Sequence, residues 1–340
     1  MKEKKNKNNI VSGLVPKGSG AYIIHKLLAD HILGYSVVSY NPYLELFPFL
    51  LPMIVSTNRP LLIHTTPDYG FFFYRKEIPL VLTFHNYILD RRMWQYSSLL
   101  QCVHYAINLR LWTRLSIRRA SCITSVSHFT AQLAKEDLGI KDPIKVIYNG
   151  VDTDHFTPRL QGCIEQREIR VLFSGNLTRR KGAHWLPAIA DELNKNIVIY
   201  YTQGLRGRGE LPSHPSLKSI GPISFAEMPR RYQEMDILLM PTVREGLSLA
   251  VLEAMACGLP VVASYCSSLP EQIDDNKGGF LCPVGNTGAF AEKINLLADS
   301  PSLRKEMGEY NRAKVEKYFT VQKMVRQYKL LFEEVLRASA

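Results

Sequence analysis

The chain has 340 residues, 46% hydrophobic and 21% charged, the balance of an ordinary water-soluble globular protein with room for two domains. Its formal charge is +11, and +8 of that falls in residues 1–160, where 19 basic side chains face 11 acidic ones. There is no run of about 18 uncharged apolar residues to span a membrane. The six cysteines lack C-x-x-C or zinc-like spacing, and the basic N-terminus lacks the apolar stretch of a secretory signal, so a reduced, cytoplasmic chain is expected. The charge asymmetry suits an anionic partner for the first half (a lipid surface, a phosphorylated acceptor or nucleic acid) or serves solubility alone.

Residues 10–14 are an apolar run followed by Val15-Pro16-Lys17-Gly18-Ser19-Gly20-Ala21. A helical pattern over 22–33 then places Ile23, Ile24, Leu27, Leu28 and Ile32 on one face. Strand, glycine loop and helix start let a backbone approach phosphate closely at Gly18 and Gly20. Residues Tyr35–Tyr40, 60–65, 79–84, 122–126 and 146–149 read as further strands, alternating with helical patterns as in a parallel sheet with ligands at the strands' carboxyl ends. His85 falls at such an end, as a structural or a functional histidine. Residues 91–119 hold six arginines and no acid. Arg110, Arg114 and Arg118 recur at helical spacing beside Leu111, Trp112 and Leu115, either as a patch for anionic lipid headgroups or as a solvated face. Residues 69–74, with three consecutive phenylalanines, read as core or as an acceptor-pocket wall. Asp152-Thr153-Asp154 spells D-x-D, too short a pattern to assign a metal, and none is expected.

Residues 157–168, with Pro158 and Gly162, carry no periodicity and read as a linker. The strand Ile169–Phe173 leads into Ser174-Gly175-Asn176-Leu177-Thr178-Arg179-Arg180-Lys181-Gly182 and a helix from about residue 183. Three consecutive cations at a strand-to-helix loop suit a diphosphate, or form a solvated basic turn. The strand Ile197–Tyr201 runs into a glycine- and arginine-rich loop, 203–209, whose Gly204 could border a nucleotide. Residues 237–239 form a strand, 248–256 a helix stopped by Gly258 and Pro260, and 261–263 the next strand. At the start of that helix Gly246, Leu247, Ser248 and Leu249 keep their amides, which would offer unpaired donors and partial positive charge to an anion. Glu245 before this entrance and Glu253 behind it could hold hydroxyls on either side of a bound phosphate, or act as a capping charge and a solvated residue. Eight helical steps separate them by roughly 12 Å, too far for the pair about 5 Å apart of a retaining hydrolase. From residue 289 onward the pattern is helical almost throughout.

Glu245 and Glu253 enclose seven residues, and Ala-Met-Ala-Cys-Gly-Leu-Pro-Val-Val-Ala-Ser follows at 254–264. This segment resembles the E-x7-E motif of glycosyltransferase family 4, retaining enzymes of the GT-B fold. Asn149-Gly150-Val151-Asp152, Leu269-Pro270-Glu271 and the segment 278–283 are also similar to that family. The resemblance covers nearly the whole chain and is strongest over 175–283.

The resemblance implies an α/β chain of two Rossmann-like domains facing across a cleft. It implies an acceptor-binding domain over 1–157, a linker at 158–168, a donor-binding domain over 169–320, and a final helix, 321–340, crossing back to the first domain. Glu245 would contact the donor sugar, Glu253 the ribose, and the amides of 246–249 sugar and phosphate. His85 would face the donor sugar, with Gly18 and Gly20 near the donor phosphates and the acceptor. Lys181 matches the lysine of the family's G-R-x(5)-K-G loop, whereas Asn176 stands where arginine is expected, so Arg179 or Arg180 would have to substitute. Backbone groups at Ile223 would read the base. The implied reaction moves a sugar from a UDP- or GDP-sugar to a saccharide or lipid-linked acceptor with retention and without metal or other cofactor. Cell-envelope glycan synthesis on the cytoplasmic face of a membrane is the expected setting. A nucleotide-sugar epimerase on the same fold and a basic nucleic-acid binder are the rival readings.

Overall fold

The computed structural model describes residues 10–54, 59–159, 168–204 and 211–339. The chain divides into two compact units, Met1–Asn149 with Gln322–Ala340, and Gly150–Val321. Residues 160–167, most of the expected linker, lie outside the described residues.

In the first unit, six strands form a parallel sheet: β1 (Val11–Pro16), β2 (Tyr35–Tyr40), β3 (Leu62–Thr65), β4 (Leu80–Phe84), β5 (Cys122–Ser125) and β6 (Lys145–Val146), in the order β2-β1-β3-β4-β5-β6. β3 and β4 are buried along their whole length, as expected for strands covered on both faces. Between β1 and β2 the helix Gly20–His31 is capped by Ser19, whose hydroxyl accepts from Tyr22 N at 3.1 Å and donates to Pro16 O at 2.8 Å. Gly18 turns the chain there with φ +72°. The final helix, Val321–Ser339, returns to this unit: Phe332 lies 5.9 Å from the Tyr35 ring, and Tyr328 lies 5.2 Å from His64. Met324, Val325, Tyr328, Leu331, Phe332 and Val335 make its buried stripe.

The first unit also holds a buried polar chain. The Tyr35 hydroxyl lies 2.8 Å from both His25 Nδ1 and His64 Nδ1, His64 Nε2 lies 2.7 Å from Thr83 Oγ1, and Thr83 Oγ1 lies 2.6 Å from Thr124 Oγ1. Gly13 makes the room for it: a Cβ there would lie 2.6 Å from His25 Nδ1 and 2.7 Å from the Tyr35 oxygen. Burial pushes His25 and His64 well below the ordinary histidine range, with neighbouring histidines adding to the shift, so both rings are neutral.

In the second unit the strands are β7 (Ile169–Phe173), β8 (Ile197–Tyr201), β9 (Leu217–Ser219), β10 (Ile237–Met240), β11 (Val261–Ser264) and β12 (Gly279–Cys282), all parallel, in the order β12-β11-β10-β7-β8-β9. β9 was not foreseen; at three residues with exposed Lys218 it carries almost no periodic signal. Asp152 of the D-x-D triplet is engaged in its own turn, its Oδ1 accepting from Asp154 N at 3.0 Å and His155 N at 3.1 Å.

Candidate active site

In the second unit's sheet, β7 has β8 on one side and β10 on the other, so the strand order reverses between β7 and β10. Loops leaving adjacent strands diverge at such a point, and the carboxyl ends of those strands are where parallel sheets take ligands. Lys181 follows β7 and Glu245 follows β10. They meet there: Lys181 Nζ donates to Glu245 Oε1 at 2.7 Å.

The sequence builds this meeting locally. Thr178 caps the short turn Arg179–Lys181 by accepting from Lys181 N at 3.3 Å, and Gly182 ends it at φ +77°. A Cβ on Gly182 would stand 1.8 Å from Pro241 O, so the two loops approach as they do only because this residue is glycine. They are then joined by Val243 N donating to Arg180 O at 2.9 Å and Arg180 Nη1 donating to Arg244 O at 2.8 Å, with Thr242 Oγ1 lying 3.0 Å from Arg180 O. Thr242 Oγ1 lies 2.8 Å from Glu245 Oε1, and Arg180 Nη1 lies 3.9 Å from the same oxygen. Arg179 is exposed.

Burial alone would raise the Glu245 carboxyl. The Lys181 and Arg180 cations, with hydrogen bonds from Lys181 and Thr242, outweigh it and hold the group below its ordinary value, ionised. Burial lowers Lys181 in turn, against the pull of Glu245.

The helix entrance differs in part from expectation. The Ser248 amide is not an open donor: it bonds to Gln272 Oε1 at 2.9 Å, and Gln272 Nε2 returns a bond to Ser248 O at 2.9 Å. The Ser248 side chain makes no cap on the helix Leu249–Ala256. Glu245 N donates to Ser267 Oγ at 2.9 Å, and Ser268 Oγ donates to Glu245 O at 3.3 Å. Ser267 has φ +48°, a left-handed conformation unusual outside glycine. Gly246 and Leu247 are buried in the same loop.

Glu253, half-buried on the helix, accepts from the Tyr232 hydroxyl at 2.9 Å. Burial pushes its carboxyl up to about 7, against that hydrogen bond. The two acids are thus electrostatically unlike, one fixed as an anion and the other poised near neutrality.

Loops after the neighbouring strands adjoin. Gly204, at φ +68°, presses on Asn176: a Cβ there would lie 2.2 Å from Asn176 Oδ1. Gly175 N donates to Thr202 Oγ1 at 3.1 Å, and Gln203 N donates to Gly221 O at 3.4 Å, two residues before the half-buried Ile223. The rest of the glycine- and arginine-rich loop, 205–210, lies outside the described residues. The reading of the sequence missed Thr242, Tyr232, Ser267 and Gln272, which support the two acids and their loop.

The first unit carries the other candidates. Gly18 and Gly20 flank the Ser19 cap, and His85 directly follows β4. Its Nε2 is buried without a hydrogen-bond partner, its ring centroid lies 5.7 Å from that of His25, and burial lowers it to about 4, so it is neutral. Arg110, Arg114 and Arg118 do not make one surface patch. Arg110 turns inward and donates to Asp137 Oδ2 at 2.7 Å, Leu89 O at 3.0 Å and Asp137 O at 3.2 Å, while Arg114 and Arg118 are exposed. Among the described residues no group of three or more His, Cys, Asp or Glu side chains is arranged to hold a metal, and no helix is long and apolar enough to cross a membrane.

Comparison with known proteins identifies the family. Residues 12–155 match the family described as Glycosyltransferase Family 4, and residues 168–300 match that described as Glycosyl transferases group 1. The chain is 36% identical over 102 residues to N-acetyl-alpha-D-glucosaminyl L-malate synthase of Bacillus anthracis, a match covering 30% of this chain and only 27% of that protein. It is 27% identical over 275 residues to an uncharacterized 41.2 kDa protein in the cps region of Klebsiella pneumoniae, covering 76% of this chain and 72% of the relative. In fold it is similar to Anabaena HepE in complex with UDP-glucose, with a TM-score of 0.72 and 19% identity over 96% of this chain and 99% of the other. With its two parallel six-stranded sheets and both family matches, the chain belongs to glycosyltransferase family 4 and has the GT-B fold.

Proposed function

We propose that the protein transfers a sugar, with retention of anomeric configuration and without a metal ion, from a nucleoside-diphosphate sugar to a saccharide or lipid-linked acceptor. The observation that carries this reading is the Lys181–Glu245 pair at the reversal point between β7 and β10. A diphosphate leaving group gains charge as its bond to the sugar breaks, and a cation already held in place stabilises that charge without reorganising. Lys181 is assigned to the diphosphate. Arg180 secures the loop and adds positive charge in place of the arginine that Asn176 replaces.

Glu245, kept ionised, is suited to accept hydrogen bonds from sugar hydroxyls, and Glu253 to accept them from the ribose once ionised. The neutral imidazole of His85 is assigned to positioning the sugar. UDP is the preferred donor base, because the similar Anabaena protein was solved with UDP-glucose. The relative in a cps region supports a role in surface-polysaccharide synthesis.

Incubating the protein with UDP- and GDP-sugars, with and without saccharide acceptors, tests the reading. Acceptor-dependent release of nucleoside diphosphate and an axial or equatorial product linkage matching the donor support it. A changed nucleotide-sugar formed without acceptor would make the protein an epimerase.

A further inference from the structure

The buried polar chain of the first unit has a direction, and that direction decides which nitrogen of His25 is left over. Tyr35 has one hydroxyl proton and meets two Nδ1 atoms, those of His25 and His64, each at 2.8 Å. It therefore donates to one ring and accepts from the other. The choice is made at the far end. The Thr124 hydroxyl donates to Leu82 O at 3.2 Å. With that proton spent, the 2.6 Å contact between the two threonines takes its proton from Thr83. Thr83 Oγ1 then accepts, from His64 Nε2 at 2.7 Å and from the Tyr328 hydroxyl at 3.4 Å.

Both buried rings are neutral, so each carries a single ring proton. His64, protonated on Nε2, has a bare Nδ1 that takes the Tyr35 proton, and the Tyr35 oxygen accepts from His25 Nδ1. The reverse order would have Thr124 donating to Thr83 and would leave the contact with Leu82 O without a proton. Only the first order gives every contact one. The lone pair left over is on His25 Nε2, wholly buried and without a partner. A buried acceptor without a donor is costly. The neighbouring ring with an orphaned nitrogen is His85: the centroids lie 5.7 Å apart, and His85 Nε2 is likewise buried without a partner. With a proton on His85 Nε2, a modest turn of that ring or one bridging water joins the two nitrogens. Without it, two lone pairs would compete for a donor. His85 is half-buried and directly follows β4, so the chain runs from the sheet interior to the end where parallel sheets take ligands.

We infer that His25 is a positioning residue for His85: its Nε2 lone pair holds His85 in the Nε2–H tautomer and leaves His85 Nδ1 bare, an acceptor for a donor-sugar hydroxyl. The tautomer follows from the chain alone, whereas the sugar contact rests on the transferase reading. A nitrogen with a lone pair to offer recognises a hydroxyl and gives nothing to a phosphate oxygen. His85 thus discriminates for the sugar and not for the nucleotide.

Nitrogen NMR of the full chain with labelled histidine, at neutral pH, is the test, because bare and protonated ring nitrogens resonate far apart. Loss of signals in H25Q and H85Q assigns the two rings. The unaltered protein is expected to show His25 as the Nδ1–H form and His85 as the Nε2–H form. T124V frees the Thr83 proton for His64 and is expected to convert both rings to a mixture or to the opposite form, with a melting curve showing the fold intact. Y35F cuts the chain at its middle and is expected to release His85 in the same way. His85 as the Nδ1–H form in the unaltered protein, or a His85 tautomer indifferent to both variants, would overturn the assignment; a merely structural chain would lose stability without moving a tautomer. T124V is also expected to weaken UDP-glucose roughly two- to tenfold, the worth of one hydrogen bond, and to leave UDP affinity unchanged. Unchanged affinity for UDP-glucose would overturn the sugar contact. A protein with the expected tautomers that ignores every nucleoside diphosphate would keep the role of His25 and remove the transferase reading.

Discussion

Tyr232, wholly buried, donates its hydroxyl to Glu253 Oε2 at 2.9 Å, and the acid at this bond titrates near neutrality. Its folded-state value of about 7 lies above the ordinary carboxylate value, so the folded chain holds this proton more tightly than the unfolded chain. Glu253 therefore contributes stability that is complete below its ordinary range and is lost as pH rises through about 7. Nucleotide affinity runs the opposite way, since ribose hydroxyls need the ionised acceptor. Affinity for a nucleoside diphosphate is expected to rise by up to about tenfold per pH unit on approaching that midpoint. Calorimetric titration across this range checks it. E253Q should flatten the profile, and Y232F, which removes the bond favouring the anion, should move the midpoint upward.

Replacing Lys181 by alanine removes the closest cation from the buried Glu245 oxygen and leaves Arg180 at 3.9 Å. Breaking a buried pair in this way costs about 3 kcal/mol of stability. If Lys181 also stabilises the departing diphosphate, kcat falls by roughly 10²–10³-fold. Denaturant melts and single-turnover kinetics separate the two effects: E245Q should relieve the burden of the unpaired acid in the double variant without restoring turnover.

Gly182→Ala would drive a methyl group into Pro241 O at a left-handed φ. Backbone cannot yield there as a flexible side chain would, so a loss of more than about 3 kcal/mol is expected from the known cost of strain at special backbone conformations. Gly20→Ala meets open space and should be nearly neutral, which makes it the matched control in a thermal melt.

Acid should act on the first unit through its histidines. His25, His64 and His85 are all lowered by burial, the last to about 4. Groups with depressed folded values bind protons more weakly than the unfolded chain, so their stability is complete above the ordinary histidine value and is lost as pH falls below it. Each contributes a slope of up to about 1.4 kcal/mol per pH unit in that window. Denaturation followed from neutral pH downward should show this slope, shallower in H25Q. In the same window Gly13→Ala, which crowds His25 and Tyr35, should lower stability at every pH.

Much of the fold was legible because the buried strands are short, mostly apolar runs: β10 is apolar throughout and β4 is interrupted only by Thr83. Glu245 and the cations of the candidate site were legible because they lie in loops that leave strand ends, and Glu253 because it lies on the helix that follows, with seven residues between it and Glu245. Their supports were not. Glu245 meets Ser267 and Ser248 meets Gln272 across 22 and 24 residues, contacts that no local spacing announces. Arg110 was misread for the same reason: helical periodicity placed it with Arg114 and Arg118, but its guanidinium is claimed by Asp137, 27 residues later.

The central claim, that Lys181 and Glu253 grip a nucleoside diphosphate in the second unit, is tested most directly by thermal melting of the unaltered protein, K181A and E253Q with UDP, GDP and their sugars. A ligand bound at a hundred times its Kd stabilises the native state by about 2.7 kcal/mol, a readily measured rise in Tm. The expected result is such a rise with at least one nucleoside diphosphate, abolished in K181A and diminished in E253Q at a pH above the Glu253 midpoint. A melting curve indifferent to every nucleotide, or an equal rise in all three proteins, would contradict the account.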